Sequence, residues 1–400
     1  MNFPFRIARR LKDFLCLIPR YRVCSFSCSV DLIIVDRVGA DAVSRVIPRT
    51  LSHWTLPVRD EERYISLAFL FHFFGGLPHV FHGKINMLGL YVLAWARTRR
   101  AAVLVTFIDN SSWDKNLHLV SDLRIVCIQN GIRPTKVLRR KHYDVFLSLG
   151  QREAEITKDI SVLSKAVGSM NLARAFEGRS LATGDGDDKN LSIDLLFISQ
   201  YRRQFWNSAR EEDVRHVKAV KTTLQWMGLL AKEKGLRVGI GFSSKGSDRE
   251  ALFNEEKEIY DEFLAQPYQI FRREGFKQRG HDCTYGGLFR TKVVITFSSS
   301  MTVEAIGFNK PVVMTTRLLG NISSEHYDWF PAREFAHFQI EPTFESFHKQ
   351  VLSSLLTENL RRPPYPPEHY CVSPAYFDTL GNIESAILDL IPPTHSADDR

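Results

Sequence analysis

The sequence has no long apolar run. Its longest candidates, residues 65–74 and 85–95, are interrupted by Gly75-Gly76, Pro78 and Lys84. Neither reaches the roughly 18 residues that argue for a membrane-spanning helix. Cysteine is sparse: Cys16, Cys24, Cys28, Cys127, Cys283 and Cys371 include no CxxC pair. That spacing argues against a disulfide framework or a zinc ribbon and fits a reducing compartment. No GxSxG elbow is present, which removes the commonest serine-hydrolase signature. Gly241-Phe-Ser-Ser-Lys-Gly246 is not a phosphate-binding P-loop, because its lysine precedes the second glycine. His79-Val-Phe-His82 lacks further ligand types nearby, so zinc is not expected there.

A strong charge imbalance over the body of the chain is also missing. The formal net charge is +8, but residues 1–22 hold Arg6, Arg9, Arg10, Lys12, Arg20 and Arg22 against Asp13 alone. The remainder is nearly neutral. A nucleic-acid binder carries its basic footprint on the folded domain, so no nucleic-acid partner is expected. Within the basic segment, Ile7, Leu11, Phe14, Leu15 and Ile18 fall at helical spacing. A basic amphipathic helix suits an anionic membrane surface; a frayed, solvated terminus is the competing reading. The segment's apolar part is short and no small-residue cleavage site follows it, so a secretory signal is not expected. The expected location is the cytoplasm, with residues 1–22 resting on the inner face of the cytoplasmic membrane.

What the chain does have is a series of short apolar runs that stop abruptly. Residues 32–35 run into Asp36, 103–108 into Asp109-Asn110, and 125–128 into Gln129-Asn130-Gly131. Residues 145–149 run into Gly150, 195–198 into Ser199-Gln200-Tyr201-Arg202, 238–240 into Gly241, and 293–297 into Ser298-Ser299-Ser300. Continuous rather than alternating runs predict strands covered on both faces, as in parallel sheets. Helical patterns lie between them, at about residues 67–74, 85–96, 214–233, 255–264, 344–356 and 383–390. Alternating strand and helix predict an α/β fold with parallel sheets. Ligands of such sheets sit outside the carboxyl ends of the strands, so the polar strand ends are where a site is expected.

The polar, glycine-rich stretch 177–190 reads as a linker. The expected organisation is a basic segment 1–30, a first domain 31–176, the linker 177–190, a second domain 191–365, and a C-terminal helix and tail 366–400. Asp185-Gly-Asp187, which has the outline of a metal-binding DxD, falls inside the linker with no strand before it, so no metal is expected.

Ser298-Ser299-Ser300 joins a predicted strand to a helix start, where unpaired backbone N–H groups and the positive end of the helix dipole suit phosphate. N-capping explains one serine but not three. With Ser300 as N-cap the capping-box position is Val303, so Glu304 is not a capping partner.

This strand, hydroxyl loop, helix with an early glutamate, Gly307, then Lys310-Pro311-Val312-Val313 is similar to the nucleotide-binding segment of GT-B glycosyltransferases. Related patterns occur in capsule glycosyltransferases, teichoic-acid glycerophosphotransferases and nucleotide-sugar 2-epimerases. Leu32-Ile-Ile-Val-Asp-Arg-Val-Gly39, Phe107-Ile-Asp-Asn110, Cys127-Ile-Gln-Asn-Gly-Ile-Arg133, Leu196-Phe-Ile-Ser-Gln-Tyr-Arg202 and Asp378-Thr-Leu-Gly-Asn-Ile383 resemble, from about residue 30 to 390, bacterial surface carbohydrate biosynthesis proteins. The resemblance implies two Rossmann-like domains facing across a cleft, with the C-terminal helix returning to the first.

It further implies a glycosyltransferase that moves a sugar from a nucleotide-activated donor to a surface polysaccharide such as a capsule or O-antigen, or to its lipid-linked precursor. Neither metal nor other cofactor is implied. The donor would lie against Ser199, Arg202, Lys245, Ser298, Ser299, Ser300, Thr302 and Glu304, with Glu304 on the ribose. The acceptor would lie against Asn110, Gln129, Asn130 and Arg133. Asn130 stands where related enzymes often carry a histidine; asparagine is no base at neutral pH, so the base is absent or moved. Asp109 is the replacement candidate and Asp36 the second, since transfer needs a group to take the acceptor's proton. Polyol-phosphate transfer, a 2-epimerase activity and a non-catalytic assembly role are the alternatives.

Overall fold

The structure is a computed structural model. It describes residues 21–391 except 25–27, 38, 59–62, 108–112, 115, 134, 139–141, 183–191, 246–249, 274–282, 298, 321–329, 331, 357–364 and 376. The basic segment 1–20, Asp109, Asn110, Ser298 and most of the polar stretch 177–190 therefore lie outside the described residues.

The chain divides into two compact units. In the first, strands β1 (Tyr21–Val23) and β4 (Arg63–Ile65) form a small parallel pair. Strands β2 (Leu32–Val35), β3 (His53–Leu56), β5 (Val103–Thr106), β6 (Arg124–Ile128), β7 (Tyr143–Ser148) and β8 (Ser161–Ala166) form a six-stranded sheet in the order β3-β2-β5-β6-β7-β8. Every pairing in it is parallel. The second unit has a five-stranded parallel sheet of β9 (Ile193–Ile198), β10 (Val238–Lys245), β11 (Gln269–Arg273), β12 (Thr291–Thr296) and β13 (Val312–Met314), in the order β11-β10-β9-β12-β13. The first strand of each of these two larger sheets, β2 and β9, is internal and the order reverses beside it. Both units are doubly wound, Rossmann-like sheets.

The central strands are the apolar runs. β2, β5 and β9 are buried at every position, because helices cover both faces of a parallel sheet. The strands without such a run are at edges. β8 has no fully buried position and leaves Val162 80% and Leu163 46% exposed, and β3 begins at an exposed histidine.

The helix Leu67–Phe81 is longer than its sequence pattern predicts. It continues through Gly75-Gly76 and Pro78 because Gly76 sits against the neighbouring helix Met87–Arg99. A Cβ on Gly76 would lie 2.3 Å from Leu90 Cδ1.

The units do not divide at the polar stretch 177–190. The helix Met170–Ala182 runs into that stretch and belongs to the second unit, which begins at Gly168. Residues Leu149–Arg152 also group with the second unit, and the chain from Asp378 groups with the first. There the C-terminal helix Thr379–Leu388 is tied by Lys165 Nζ donating to Asn382 Oδ1 at 2.5 Å. Among the described residues no helix is long and apolar enough to cross a membrane.

Candidate functional site

In the second sheet the strand order reverses between β9 and β12, whose last residues Ile198 and Thr296 lie in register. The residues that follow them, Ser199-Gln200-Tyr201-Arg202 on one side and Phe297, Ser299 and Ser300 on the other, therefore emerge side by side at the carboxyl edge. That is the position where open α/β sheets bind ligands. β10, which ends at Lys245, is the next strand over. The fold thus gathers Ser199, Arg202, Lys245, Ser299, Ser300, Thr302 and Glu304 at one end of one sheet.

The hydroxyls there are largely committed within the protein. Ser199 is 6% exposed and donates to the Glu256 carboxylate, with the Tyr260 hydroxyl also against it. Thr302 is fully buried, and its hydroxyl meets that of Thr296 at 3.0 Å. Ser300 precedes the helix Met301–Gly307 but makes no side-chain cap; Ser299 Oγ instead accepts from Met301 N at 3.3 Å. Thr302 N donates to Ser299 O at 2.9 Å and Val303 N to Ser300 O at 3.2 Å. The expectation of unpaired N–H groups at this helix start is corrected: a tight serine turn already uses them. Ser299 and Ser300 remain half-buried at the surface.

Glu304 is also placed differently from its expected role. It is 4% exposed. Its carboxylate accepts from the Ser169 hydroxyl, and from Tyr285 Oη at 3.0 Å and 3.1 Å on its two oxygens. Ser169 Oγ in turn accepts from Leu172 N at 3.2 Å, capping the helix Met170–Ala182. One carboxylate thereby links that helix, the helix Thr284–Arg290 and the helix Met301–Gly307. Lys310 Nζ donates to Phe289 O at 3.0 Å and Thr291 O at 2.7 Å.

Arg202 is an exposed cation at this strand end, its guanidinium 5.2 Å from the Phe205 ring centroid. Behind it His216 is buried between Phe205, at 5.0 Å, and Phe297, at 4.9 Å. Burial, and then the charge of Arg202, push the His216 imidazole down to about 4, so it is neutral near pH 7.

Sequence reasoning missed the group beneath these loops. Glu256, on the helix Glu250–Leu264, is fully buried. Besides Ser199, it accepts from Ser243 N at 3.1 Å. Ser243 Oγ donates to Tyr201 O at 3.0 Å. Tyr201 donates to Glu255, which pairs with Arg203 at 3.2 Å. Burial first, then the neighbouring glutamates, push the Tyr201 and Tyr260 hydroxyls well above their usual range. The network fixes the loop after β9 to the end of β10 and to the helix Glu250–Leu264. The signal was present: Phe253, Glu256, Tyr260 and Leu264 form one buried stripe, and a carboxylate on an apolar stripe demands partners.

In the first unit the order reverses between β2 and β5, so Asp36 and the segment leading to Asp109 follow the two strands flanking the switch. Asp36 adopts φ +79, uncommon for a side-chain-bearing residue, and donates its N–H to Leu56 O at 2.7 Å. It is 1% exposed, so its carboxylate does not open to solvent as a base expected to meet an acceptor would. Gln129 is 1% exposed and donates through Nε2 to Gly131 O at 2.9 Å, bracing the turn after β6. Asn130 is half-buried beside it. The Arg133 guanidinium donates to its neighbour's carbonyl, Ile132 O, at 2.9 Å. These residues follow one strand end, and Gln129 shapes it rather than presenting a free amide.

No family model matches this chain, and no curated protein sequence matches it. Solved structures do. A provisionally named UDP-N-acetylglucosamine 2-epimerase from Listeria monocytogenes superposes with a TM-score of 0.49 at 11% identity, over 90% of this chain and 95% of that one. A UDP-GlcNAc 2-epimerase from Neisseria meningitidis bound to UDP-GlcNAc gives 0.46 at 10% identity, over 90% and 98%. A variant of the wall teichoic acid polymerase TagF gives 0.43 at 8% identity, over 97% and 98%. All lie below 0.5, and the Rossmann-like assignment here stands on this chain's own strand order.

Proposed function

We propose that this chain is a transferase that takes a sugar from a nucleotide-activated donor and adds it to a surface glycan or its lipid-linked precursor. The observation that supports this most is the switch point of the second sheet. There an exposed guanidinium, Arg202, and two half-buried serines, Ser299 and Ser300, leave adjacent strand ends. A diphosphate brings two or more negative charges to such a place, and a fixed cation stabilises the charge that develops as it leaves. Glu256, Glu304 and Thr302 hold the loops in position from behind.

Asp109 is the proposed base. It follows β5, the strand beside the first sheet's switch point, and Asp36 is buried. The acceptor is proposed to approach the turn carrying Asn130 and Arg133. No metal or other cofactor enters the proposed reaction.

A panel of nucleotide-diphosphate sugars, first by thermal shift and then by turnover with a glycan acceptor, tests the reading. Transfer of the sugar is expected, and Asp109→Asn should lower turnover about 10²-fold or more while donor binding persists. Nucleotide release that needs no acceptor would point to an epimerase-like hydrolysis instead. Failure of every nucleotide to bind would end the proposal.

A further inference from the structure

The helix Leu67–Phe81, of sequence LAFLFHFFGGLPHVF, contains no charged residue apart from its histidines. One face is buried. Phe69 packs 5.5 Å from Tyr91 and 5.1 Å from Trp95, ring centroid to centroid, and Phe73, Gly76 and Val80 continue that face. The opposite face is apolar too, and it is open. Leu67 is 88%, Phe71 78% and Phe74 57% exposed, and Ala68, Gly75 and Pro78 are exposed between them. Among the described residues, Phe71 and Phe74 are the only aromatic side chains in the set of exposed large hydrophobics. A helix apolar all round is ordinarily buried all round, and a contiguous exposed apolar face marks an interaction surface.

Charge selects the partner. After Glu62 no Asp or Glu occurs until Asp109, whereas Arg63, Lys84, Arg97, Arg99 and Arg100 all fall in that interval. Lys84 follows the helix directly, its N–H donating to His79 O at 2.9 Å, and is exposed. Arg97 is exposed on the partner helix Met87–Arg99, and its charge, after burial, lowers the pKa of His72. Lys84 and Arg97 therefore border the apolar face, with no acid in the two helices to oppose them.

The chain's own basic segment is a poor occupant. Arg6, Arg9, Arg10 and Lys12 would bring like charge to Lys84 and Arg97. A second copy would bring like charges together.

We propose that the exposed face of helix Leu67–Phe81 docks in the interface of an anionic lipid bilayer. Leu67, Phe71 and Phe74 enter the acyl boundary, and Lys84 and Arg97 reach the headgroups. At 15 residues the helix is about 22 Å long, too short to span a bilayer and suited to lying in its plane. The surface is separate from the sugar-transfer reading and does not depend on it.

Co-sedimentation of the full chain with vesicles of phosphatidylcholine containing phosphatidylglycerol, and with phosphatidylcholine alone, provides the test. The chain is expected to bind the anionic vesicles. The double variant Phe71→Ser/Phe74→Ser should bind about tenfold or more weakly, since both rings leave the bilayer. Lys84→Gln/Arg97→Gln should erase most of the preference for anionic lipid, by several-fold per cation. All four side chains are exposed, so the variants' melting temperatures should match the parent's. Three results would overturn the proposal. One is a phenylalanine double variant that binds like the parent, which would assign docking to residues 1–22. Another is a parent that ignores both vesicles. The third is slow hydrogen exchange over residues 67–81 without lipid, together with a concentration-dependent mass, which would assign the face to a second copy.

Discussion

Glu304 separates two roles that the sequence alone confuses. If it were a ligand contact, its removal would weaken nucleotide binding and leave the fold intact. The structure instead buries it, with the hydroxyls of Ser169 and Tyr285 both donating to its carboxylate. A hydrogen bond to a charged group is worth roughly 1.5–3 kcal/mol, and a buried donor left alone costs a comparable amount. Glu304→Ala strands two hydroxyls, so destabilisation of about 3–6 kcal/mol is expected. With a guanidinium slope of roughly 4 kcal/mol/M, the unfolding midpoint of the second unit should fall by about 1 M. Glu304→Gln keeps an acceptor oxygen and should cost about 1–2 kcal/mol. Combining Glu304→Ala with Ser169→Ala and Tyr285→Phe should cost far less than the sum of the separate changes, because contacting residues couple. Guanidinium unfolding followed by tryptophan fluorescence measures all of these. A Glu304→Ala protein within 0.5 kcal/mol of the parent that no longer bound nucleotide would refute the reasoning and restore Glu304 to the ligand.

His216 provides a pH signature. Its folded pKa is about 4 against an ordinary 6.5, so between those values the unfolded chain holds a proton that the folded chain lacks. Stability must then fall as pH falls from 6.5 to 4, by up to about 3 kcal/mol. His216→Phe, which fits between Phe205 and Phe297, should flatten that part of the profile in unfolding at stepped pH. Gly307 ends its helix with its Cα against the chain at Cys371, where a Cβ would lie 2.3 Å from the Cys371 carbonyl oxygen. Gly307→Ala should therefore cost about 1–3 kcal/mol in the same unfolding assay, as overpacking does. Glu256→Gln should loosen the loop after β9 without unfolding the sheet, seen as faster hydrogen exchange at residues 199–203.

The central strands were legible because a strand covered on both faces must be apolar throughout. The runs at 32–35 and 195–198 lie inside β2 and β9. Edge strands such as β8 were not, since Ser161-Val-Leu-Ser-Lys-Ala carries exposed and half-buried positions together. The helix through Gly75-Gly76 and Pro78 was under-read because close packing at Gly76 is a tertiary fact with no local signal. At the site, strand-end positions were readable and side-chain commitments were not. Three serines in a row look like donors for a ligand, yet what Ser299 accepts depends on a turn whose geometry only the fold supplies. Glu304 was readable as not a capping partner. Its real partners, Ser169 and Tyr285, are 135 and 19 residues away in sequence.

The central claim is that the switch point of the second sheet binds a nucleoside diphosphate through Arg202. Calorimetric titration of UDP, CDP, GDP and dTDP into the full chain and into Arg202→Ala tests it most directly. One or more of the four should bind the parent. The variant should bind that nucleotide about 10- to 100-fold more weakly, the loss of one charged hydrogen bond at 1.4 kcal/mol per tenfold, with its melting temperature unchanged because Arg202 is exposed. No binding by any of the four, or equal affinity in parent and variant, would contradict the account.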